Sequence, residues 1–558
     1  MKLKNILYSM MMGTAVLTGT TSCVSDLDQY PHTETTSKDV YTSLANYEAV
    51  LGKIYAAMVT SGQGKGGDNK DMESVLNNGS GFDYMRMFIN MQECGTDEFA
   101  STWLTGEQTT GLTYLSWDAN DAWVSDMYYR IYYNIALCNE FLRNANSVNF
   151  SGADAEKMKE YKAEVRFMRA LFYYHALDFY RNIPMVTEND PVGSYIPPRY
   201  TPQQTFDYIE SELKDCVGDM LPASTCPYGQ ASQGAAYTLL AKLYLNSEVY
   251  TGVAKYAECK EACEKVMGMG YSLESDYSKL FNADNDKRTN EIIFALPVSA
   301  EHTVSWGSST YLVCGQVSMS NANQNVADYG VTAGWSEFRL RPEFVDKFTQ
   351  TDIDGSGDKR CKFFTNGQSK DISSMTEETA GYLSEKWSNL KDDKTTASNT
   401  ADAGVETDFP LFRLADVYLM YAECVARTKG ASWDPWPDGK TDASDPEVIA
   451  SRTKGAIYWI NKVRERAYGK GKGQVWSSNF ANDDEFLQFI LDERARELYH
   501  EGYRRTDLIR YGQFTTNKYI WQWKGGVHDG QAVDSKYNIY PIPNTELTAN
   551  PNLHNDNY

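Results

Sequence analysis

Two short patterns in the chain combine residue types that could support catalysis. Ser451 and Lys454 match S-x-x-K, in which a lysine assists a nucleophilic serine, but so short a match is expected by chance in 558 residues. His500 and Glu501 are followed by Gly-Tyr-Arg, so they do not complete the H-E-x-x-H zinc motif. The sequence contains no phosphate-binding G-x-x-x-x-G-K-[ST] and no G-x-S-x-G. We therefore expect no catalytic residues and no cofactor.

An acidic segment could bind a metal ion. Asp352, Asp354 and Asp358 follow the early spacing of a calcium loop, but Phe363 occupies the twelfth position, where such a loop needs a bidentate glutamate. We interpret the segment as a polar turn and expect no metal site. Carboxylate pairs for glycoside hydrolysis cannot be assigned without distances, so a glycan-degrading enzyme remains an alternative.

Cysteines occur mainly within helical patterns. Cys138, Cys216, Cys263 and Cys424 lie in amphipathic stretches, where a free cysteine is usually a small buried apolar residue. Cys259 lies one turn before Cys263, without a second pair to complete a zinc site. The sequence does not assign any disulfide.

The first 22 residues have the features of an export signal. Lys2 and Lys4 precede a short apolar stretch, 6–17, and small residues lead to Cys23. This order resembles a bacterial lipoprotein signal, in which the cysteine is acylated, for example with palmitate, and becomes the first residue of the mature chain. We expect residues 1–22 to be removed and Cys23 to carry a lipid anchor.

The composition limits the partners. The chain has 53 Lys and Arg against 75 Asp and Glu, a formal charge of −22. A nucleic-acid partner is excluded by this balance, because phosphate binding needs a basic surface. Aromatic residues make up 13% of the chain, with 39 Tyr and 12 Trp.

Apolar periodicity predicts a mainly helical fold. The predicted helical stretches are 38–59, 119–145, 154–180, 202–220, 232–250, 253–268, 411–427, 454–468 and 484–500. Long helices with short connections suggest tetratricopeptide-like helix pairs, an α-solenoid scaffold. The stretches 60–118 and about 271–410 are rich in Gly, Asn and Ser, with one strand-like run at 291–297. We expect the binding site in these loop-rich stretches, because loops on a rigid scaffold commonly carry function.

Several ordered motifs resemble the SusD/RagB family of outer-membrane nutrient-uptake lipoproteins. The motifs occupy residues 164–174, 183–184, 235–245, 291–294, 411–423, 456–467, 490–512, 540–547 and 550–552. The resemblance divides the mature chain into an N-terminal region, 23–230, and a C-terminal region, 231–558, that contains the insert. Its charged 490–512 motif alternates in sign at helical spacings, which indicates ion pairs within the scaffold.

The resemblance implies a binding protein. Members of the family hold oligosaccharides in loops on a tetratricopeptide-like scaffold and cap a TonB-dependent transporter of the SusC type. Aromatic rings would stack on the apolar faces of sugars, while polar side chains bind the hydroxyls. We therefore expect a non-catalytic, surface-exposed outer-membrane lipoprotein that binds an oligosaccharide, with an α-glucan slightly favoured. A peptide-binding member of the family is a further alternative.

Candidate ligand contacts follow from the resemblance and from the loop positions. Trp103, Trp306 and Trp335 are preferred for stacking, with Tyr84 and Tyr311 as additional rings. Asp97, Asn323 and Arg339 are candidates for hydrogen bonds to hydroxyls. Trp117 and Trp123 are expected in the core, and Trp521 and Trp523 in a strand-like edge segment.

Overall fold

The computed structural model describes residues 37–62, 71–72, 75–76, 82–399 and 404–558. The predicted signal peptide and Cys23 lie outside these residues. The chain divides into two compact units, one ending at Ala49 and one running from Val50 to Tyr558. In the first unit, the Tyr41 and Tyr47 rings lie 5.1 Å apart. Within the described part of the chain, no helix combines the length and apolarity needed to cross a membrane.

Most of the regular structure is helical, as predicted. The helices are Ser37–Val40, Leu44–Ala56, Tyr84–Glu93, Thr110–Tyr114, Ala122–Ala145, Ala153–Tyr180, Pro202–Cys216, Gln233–Leu245, Ser247–Thr251, Tyr256–Met267, Ser308–Gly315, Pro342–Val345, Gln350–Ile353, Leu414–Arg427, Pro446–Arg452, Ala456–Tyr468, Asp483–Leu498, Arg504–Arg510 and Asn544–Ala549. Every predicted helical stretch overlaps at least one of them. Ala122–Ala145 packs on Ala153–Tyr180, and Gln233–Leu245 packs on Tyr256–Met267, which gives tetratricopeptide-like helix pairs.

Local sequence explains where these helices begin and break. Pro202 occupies the first turn of its helix, and Thr201 and Gln204 form a capping box that satisfies otherwise unpaired backbone N–H groups. The predicted stretch 232–250 is two helices, separated at Asn246. The Asn246 side chain donates to the Lys242 carbonyl at 3.0 Å and accepts from Arg510 at 2.9 Å, which ties the break to a distant helix.

Among the described residues, the longest helix that the prediction misses is Tyr84–Glu93. Tyr84–Glu93 lies in the stretch 60–118, which its composition marks as loop-rich, yet all ten of its residues are buried. Its polar residues Arg86, Asn90 and Glu93 recur at helical spacings and bind groups inside the protein, so the period is present but it lies within a Gly- and Asn-rich stretch. This helix supports the candidate site described below.

Strands form four two-stranded antiparallel ribbons among the described residues. The pairs are Ala100–Ser101 with Phe338–Arg339, Ile183–Pro184 with Arg199–Tyr200, Ile292–Leu296 with Phe409–Arg413, and Phe363–Phe364 with Leu383–Ser384. The predicted strand at 291–297 is confirmed. The predicted strand at Trp521 and Trp523 is wrong, because Trp521 is buried and Trp523 adopts a left-handed backbone with φ of 65° in a turn.

The nine described cysteines are all free, and the four expected in helix interiors are buried. The acidic segment begins in the short helix Gln350–Ile353 and continues as the predicted turn: the Asp352 carboxylate accepts the Asp358 backbone N–H at 2.6 Å. Asp358 in turn binds the guanidinium of Arg360. These carboxylates are therefore used within the fold.

Candidate functional site

Two of the preferred tryptophans lie beside each other at the surface. The Trp306 and Trp335 ring centroids lie 5.9 Å apart with their planes inclined by 46°, and both side chains are half-buried. The two residues are brought together by the loop-rich insert. Each ring therefore keeps exposed apolar area that a ligand could cover. We call the region of Trp103, Trp306 and Trp335 the tryptophan surface.

A short ribbon brings the third tryptophan to the same place. Ala100 and Ser101 pair antiparallel with Arg339 and Phe338. The pairing continues beyond the strands, because the Thr102 N–H donates to the Glu337 carbonyl at 2.8 Å. The half-buried Trp103 follows Thr102, and Trp335 precedes Glu337 by two residues, so both leave the ribbon at the same end.

Arg86 joins the segments that carry the three rings. Its guanidinium lies between the rings of Phe82 and Tyr311, 3.9 and 4.1 Å from their centroids. It donates to the carbonyl of Trp306 at 2.8 Å. It also binds the carboxylate of Glu107, on the Trp103 loop, and lies 3.7 Å from Glu337, on the Trp335 segment. A single buried cation thus holds all three segments.

Asp83 provides a second fixed point below Trp306. Its carboxylate caps the helix Tyr84–Glu93 by accepting the Arg86 backbone N–H at 2.9 Å. It also accepts the Ser305 hydroxyl at 2.6 Å and the Ser308 backbone N–H at 3.0 Å. A Cβ on Gly307 would lie 2.2 Å from this carboxylate, so only glycine fits between Trp306 and the helix.

The backbone beside the rings is strained. Ser308 and Ser336 have φ values of 41° and 52°, which side chains with a Cβ rarely adopt. Ser336 is held in this conformation from both sides. Its N–H donates to the Val317 carbonyl at 2.9 Å, and its hydroxyl accepts the Met319 N–H at 2.7 Å. The strain is therefore supported by surrounding contacts and fixes the direction of Trp335.

A buried carboxyl with a raised pKa lies beneath the tryptophan surface. Burial and the neighbouring Glu107 raise the pKa of Glu337 to about 8, against the opposing effect of Arg86. Ser101 donates its hydroxyl to Glu337 at 3.2 Å. Because Glu337 is only 1% exposed, this carboxyl supports the ribbon and Arg86 and does not reach the solvent.

The two tyrosines predicted as additional rings lie in the core. Tyr84 is fully buried, and its hydroxyl bonds His175 at 2.6 Å. Tyr311 is also fully buried and donates to Asn90 at 2.7 Å while its ring covers Arg86. Neither ring can touch a ligand in solvent, so Tyr84 leaves the candidate site and Tyr311 remains only as support for Arg86.

The predicted polar contacts are divided between core and surface. Asp97 is buried and binds Arg504 at 2.6 Å; although burial acts to raise its pKa, Arg504 and Lys347 hold it at about 2. Arg339 is 1% exposed and donates to the Glu378 carbonyl at 3.1 Å, and burial lowers its pKa to about 10. Both are corrected to structural residues, since the protein already surrounds them. Asn323 is exposed on the insert.

Trp117 and Trp123 are buried, as predicted. The supporting residues Arg86, Glu107 and Glu337 were not identified from the sequence. Only Arg86 could have been recognised from the sequence. It is the single cation in the mainly apolar run Tyr-Met-Arg-Met-Phe-Ile-Asn-Met, and a buried cation needs hydrogen-bond or ion-pair partners from other segments.

Comparison with known families covers most of the chain. Residues 27–245 match a family model described as starch-binding and associating with the outer membrane, and residues 353–558 match the SusD family model. The starch-binding protein SusD of Bacteroides thetaiotaomicron is 32% identical over 600 aligned positions, which cover 99% of each chain. SusD-like protein P25 of Formosa agariphila is 26% identical over 78% of each chain.

Solved structures share the fold. A SusD-like carbohydrate-binding protein from Bacteroides fragilis superposes with a TM-score of 0.68 at 18% identity, covering 92% of this chain and 100% of that one. Surface glycan-binding protein A from Bacteroides thetaiotaomicron, solved with laminarihexaose, gives a TM-score of 0.66 at 16% identity, covering 92% and 99%.

Proposed function

The chain belongs to the SusD family, and on this premise we propose that it is a non-catalytic glycan-binding lipoprotein of the outer membrane. It captures oligosaccharides at the cell surface and delivers them to a SusC-like TonB-dependent transporter. The relative that is 32% identical over the full length is named as starch-binding, which favours an α-glucan as the ligand.

The observation that carries this proposal is the adjacent, half-buried pair Trp306 and Trp335, with Trp103 at the same end of the ribbon. Sugar rings present C–H faces that pack on such rings, and rigid aromatic side chains lose little entropy on binding. Arg86, Asp83 and the strained serines hold the surface before a ligand arrives. An open surface of this kind suits a long polysaccharide, since the chain can extend beyond it at both ends.

Affinity electrophoresis tests the ligand class. The mature protein is run in native gels that contain amylopectin, pullulan, laminarin or xylan, beside Trp103→Ala, Trp306→Ala and Trp335→Ala. We expect an α-glucan to retard the parent and Trp335→Ala to lose at least tenfold in affinity, about 1.4 kcal/mol. Trp476→Ala is the matched control, because Trp476 is 39% exposed but lies outside the tryptophan surface.

Failure of all four polysaccharides to retard the parent would contradict the glycan proposal. An equal loss of affinity in Trp476→Ala would contradict the location of the binding site at the tryptophan surface. Incubation with the retarding polysaccharide, followed by a reducing-end assay, separates binding from hydrolysis: we expect no new ends, whereas their release would favour the enzyme alternative.

The lipid anchor depends on Cys23, which lies outside the described residues. The expected mature chain loses Lys2 and Lys4 and carries a formal charge of 51 − 75 = −24. We expect Cys23→Ala to move the protein from the membrane fraction to the soluble fraction. Cys226→Ala, at a half-buried free cysteine, is the control and should stay with the membrane. Membrane retention of Cys23→Ala would contradict the anchor.

A further inference from the structure

Apart from the tryptophan surface, the loop-rich insert also contains a cavity with a volume of about 260 Å³. Its lining includes none of the three tryptophans. It does include Asn325, Asp328, Tyr329, Lys362, Phe364 and Glu385. The segment 317–336 connects the two places, because it carries Asn325 to Tyr329 at the cavity and Trp335 at the tryptophan surface.

The polar wall of this cavity is fixed by hydrogen bonds. The Tyr329 hydroxyl donates to Glu385 at 2.6 Å and accepts from the Gln324 amide at 2.9 Å. The side-chain oxygen of Gln324 accepts the Ser318 backbone N–H at 2.7 Å. The backbone carbonyl of Tyr329 accepts the Asn389 backbone N–H at 2.8 Å. The wall is therefore preorganised, which reduces the entropy lost when a ligand binds.

The charges at the cavity are balanced and not paired with each other. Lys362 and Lys394 contribute two positive charges, and Asp328 and Glu385 contribute two negative charges. None of these four belongs to an ion pair within 4.0 Å among the residues that the structure describes. The remaining charged lining residue, Lys386, already donates to Glu501 at 2.6 Å.

This lining selects for a neutral ligand rich in hydroxyl groups. An anion would meet Asp328 and Glu385, and a cation would meet Lys362 and Lys394, so neither gains a net attraction. A hydroxyl both donates and accepts hydrogen bonds, and it can use both kinds of group. The half-buried Phe364 ring adds an apolar face, as a pyranose ring requires.

We infer that this cavity is a second saccharide site, which binds one neutral sugar unit separately from the tryptophan surface. The inference rests on the proposed function for the class of ligand. Its position on the segment that carries Trp335 would allow the protein to engage a glycan at more than one point. Two linked weak sites raise the overall affinity for a polymer above that of either site.

The test removes the tryptophan surface first. Trp335→Ala is titrated with glucose, galactose, mannose and xylose, and with glucuronate as the charged counterpart, and binding is followed by saturation-transfer NMR. We expect at least one neutral sugar to bind the variant with an affinity close to that for the parent. Glucuronate should bind at least tenfold more weakly than that sugar.

Two further substitutions in the Trp335→Ala background locate the signal. Asn325→Trp fills the cavity and should weaken the neutral sugar at least tenfold. Ala327→Trp is the matched control, since it introduces the same side chain two residues later, in the turn Val326–Tyr329, at an exposed residue that does not line the cavity. Lys362→Met removes one donor without adding bulk and should weaken binding about threefold, within the range of one hydrogen bond.

Loss of all sugar signals in Trp335→Ala would overturn the inference, because one site would then explain all binding. Equal effects of Asn325→Trp and Ala327→Trp would also overturn it. The two proposals fail separately: if no polysaccharide retards the parent while the cavity still binds a neutral sugar, the proposed function fails and the second site stands. If a polysaccharide retards the parent but no neutral sugar binds the cavity, the proposed function stands and the second site fails.

Discussion

The buried charges of the C-terminal helices and the tryptophan surface are organised in opposite ways. Arg413, Glu497 and Glu501 have no exposed surface, and Arg413 donates to Glu501 at 2.6 Å and to the Glu497 carbonyl at 2.7 Å. Trp306 and Trp335 are apolar, yet they are only half-buried. The scaffold therefore hides charge and the candidate site exposes rings, the reverse of the usual distribution.

This difference between scaffold and candidate site explains why a family resemblance predicts the fold better than it predicts the ligand contacts. The 490–512 motif supplies much of the buried charge network, where each group needs a partner in a fixed position. Trp103, Trp306 and Trp335 lie outside the motifs that carry the resemblance. Motif matching therefore identifies the scaffold, while the proposed ligand contacts are side chains in the loops.

The largest expected effect is loss of stability when the charge network is broken. Arg413→Met leaves Glu291, Glu497 and Glu501 buried without their shared cation, so we expect a loss of about 3–5 kcal/mol in the free energy of unfolding. The midpoint of urea denaturation measures it.

Lys440→Met is the control for Arg413→Met, because Lys440 forms an exposed ion pair with Asp445 at 2.7 Å. Such pairs contribute at most about 1 kcal/mol. Similar shifts for the two variants would remove the contrast between buried and exposed charge.

Arg86 connects the two kinds of region, since it is a buried charge that supports exposed rings. We expect Arg86→Met to weaken α-glucan binding at least tenfold, about 1.4 kcal/mol, although Arg86 itself is 2% exposed and touches no ligand. The Trp306 and Trp335 rings should also become more accessible to acrylamide quenching of fluorescence.

Arg86→Lys should restore part of the binding, because it keeps the charge near Glu107 and Glu337 but not the two-sided stacking. Arg166→Met is the control, as Arg166 binds Glu212 at 2.7 Å on the helix pairs. Unchanged quenching in Arg86→Met would contradict the positioning role.

The sequence predicts the helices well because their packing leaves a periodic apolar face, as in Ala122–Ala145. It misses Tyr84–Glu93 because this helix lies within a Gly- and Asn-rich stretch, although Arg86, Asn90 and Glu93 recur at helical spacings. It proposes the three tryptophans, but it cannot separate them from Tyr84 or Asp97, since burial depends on segments more than 80 residues away. His175 lies 91 residues from Tyr84, and Arg504 lies 407 residues from Asp97.

The two regions should also differ in their response to pH. The pKa of Glu337 is raised to about 8, so the folded state holds a proton that the unfolded chain releases near pH 4.5. Its contribution to stability is complete below that value and is lost as the pH rises to about 8, at no more than about 1.4 kcal/mol per unit. Glu337→Gln should flatten this part of the profile.

The contribution of Glu497 to stability changes with pH in the opposite direction. Although burial acts to raise its pKa, Arg466, Arg413 and Arg360 lower it to about 2, so its contribution is present above about pH 4.5 and is lost as the pH falls towards 2. Melting temperatures of the parent and Glu337→Gln between pH 5 and 9 test the Glu337 part of this contrast. Parallel profiles would contradict the raised pKa of Glu337.

The smallest expected effect belongs to Asn323, the predicted polar contact that the structure leaves exposed. Its N–H donates to Asn321 at 2.9 Å, so the turn is held by the backbone and not by the Asn323 side chain. An exposed amide exchanges a bond to water for a bond to a sugar, and the net gain is about 0.5 kcal/mol. We expect Asn323→Ala to weaken α-glucan binding about twofold in affinity electrophoresis, against at least tenfold for Trp335→Ala.

The control for Asn323→Ala is Asn189→Ala, at an exposed asparagine in the loop between Ile183–Pro184 and Arg199–Tyr200, which should leave binding unchanged. A loss in Asn323→Ala as large as that in Trp335→Ala would place the binding energy in polar loop contacts, and the exposed rings would no longer distinguish the site from the scaffold.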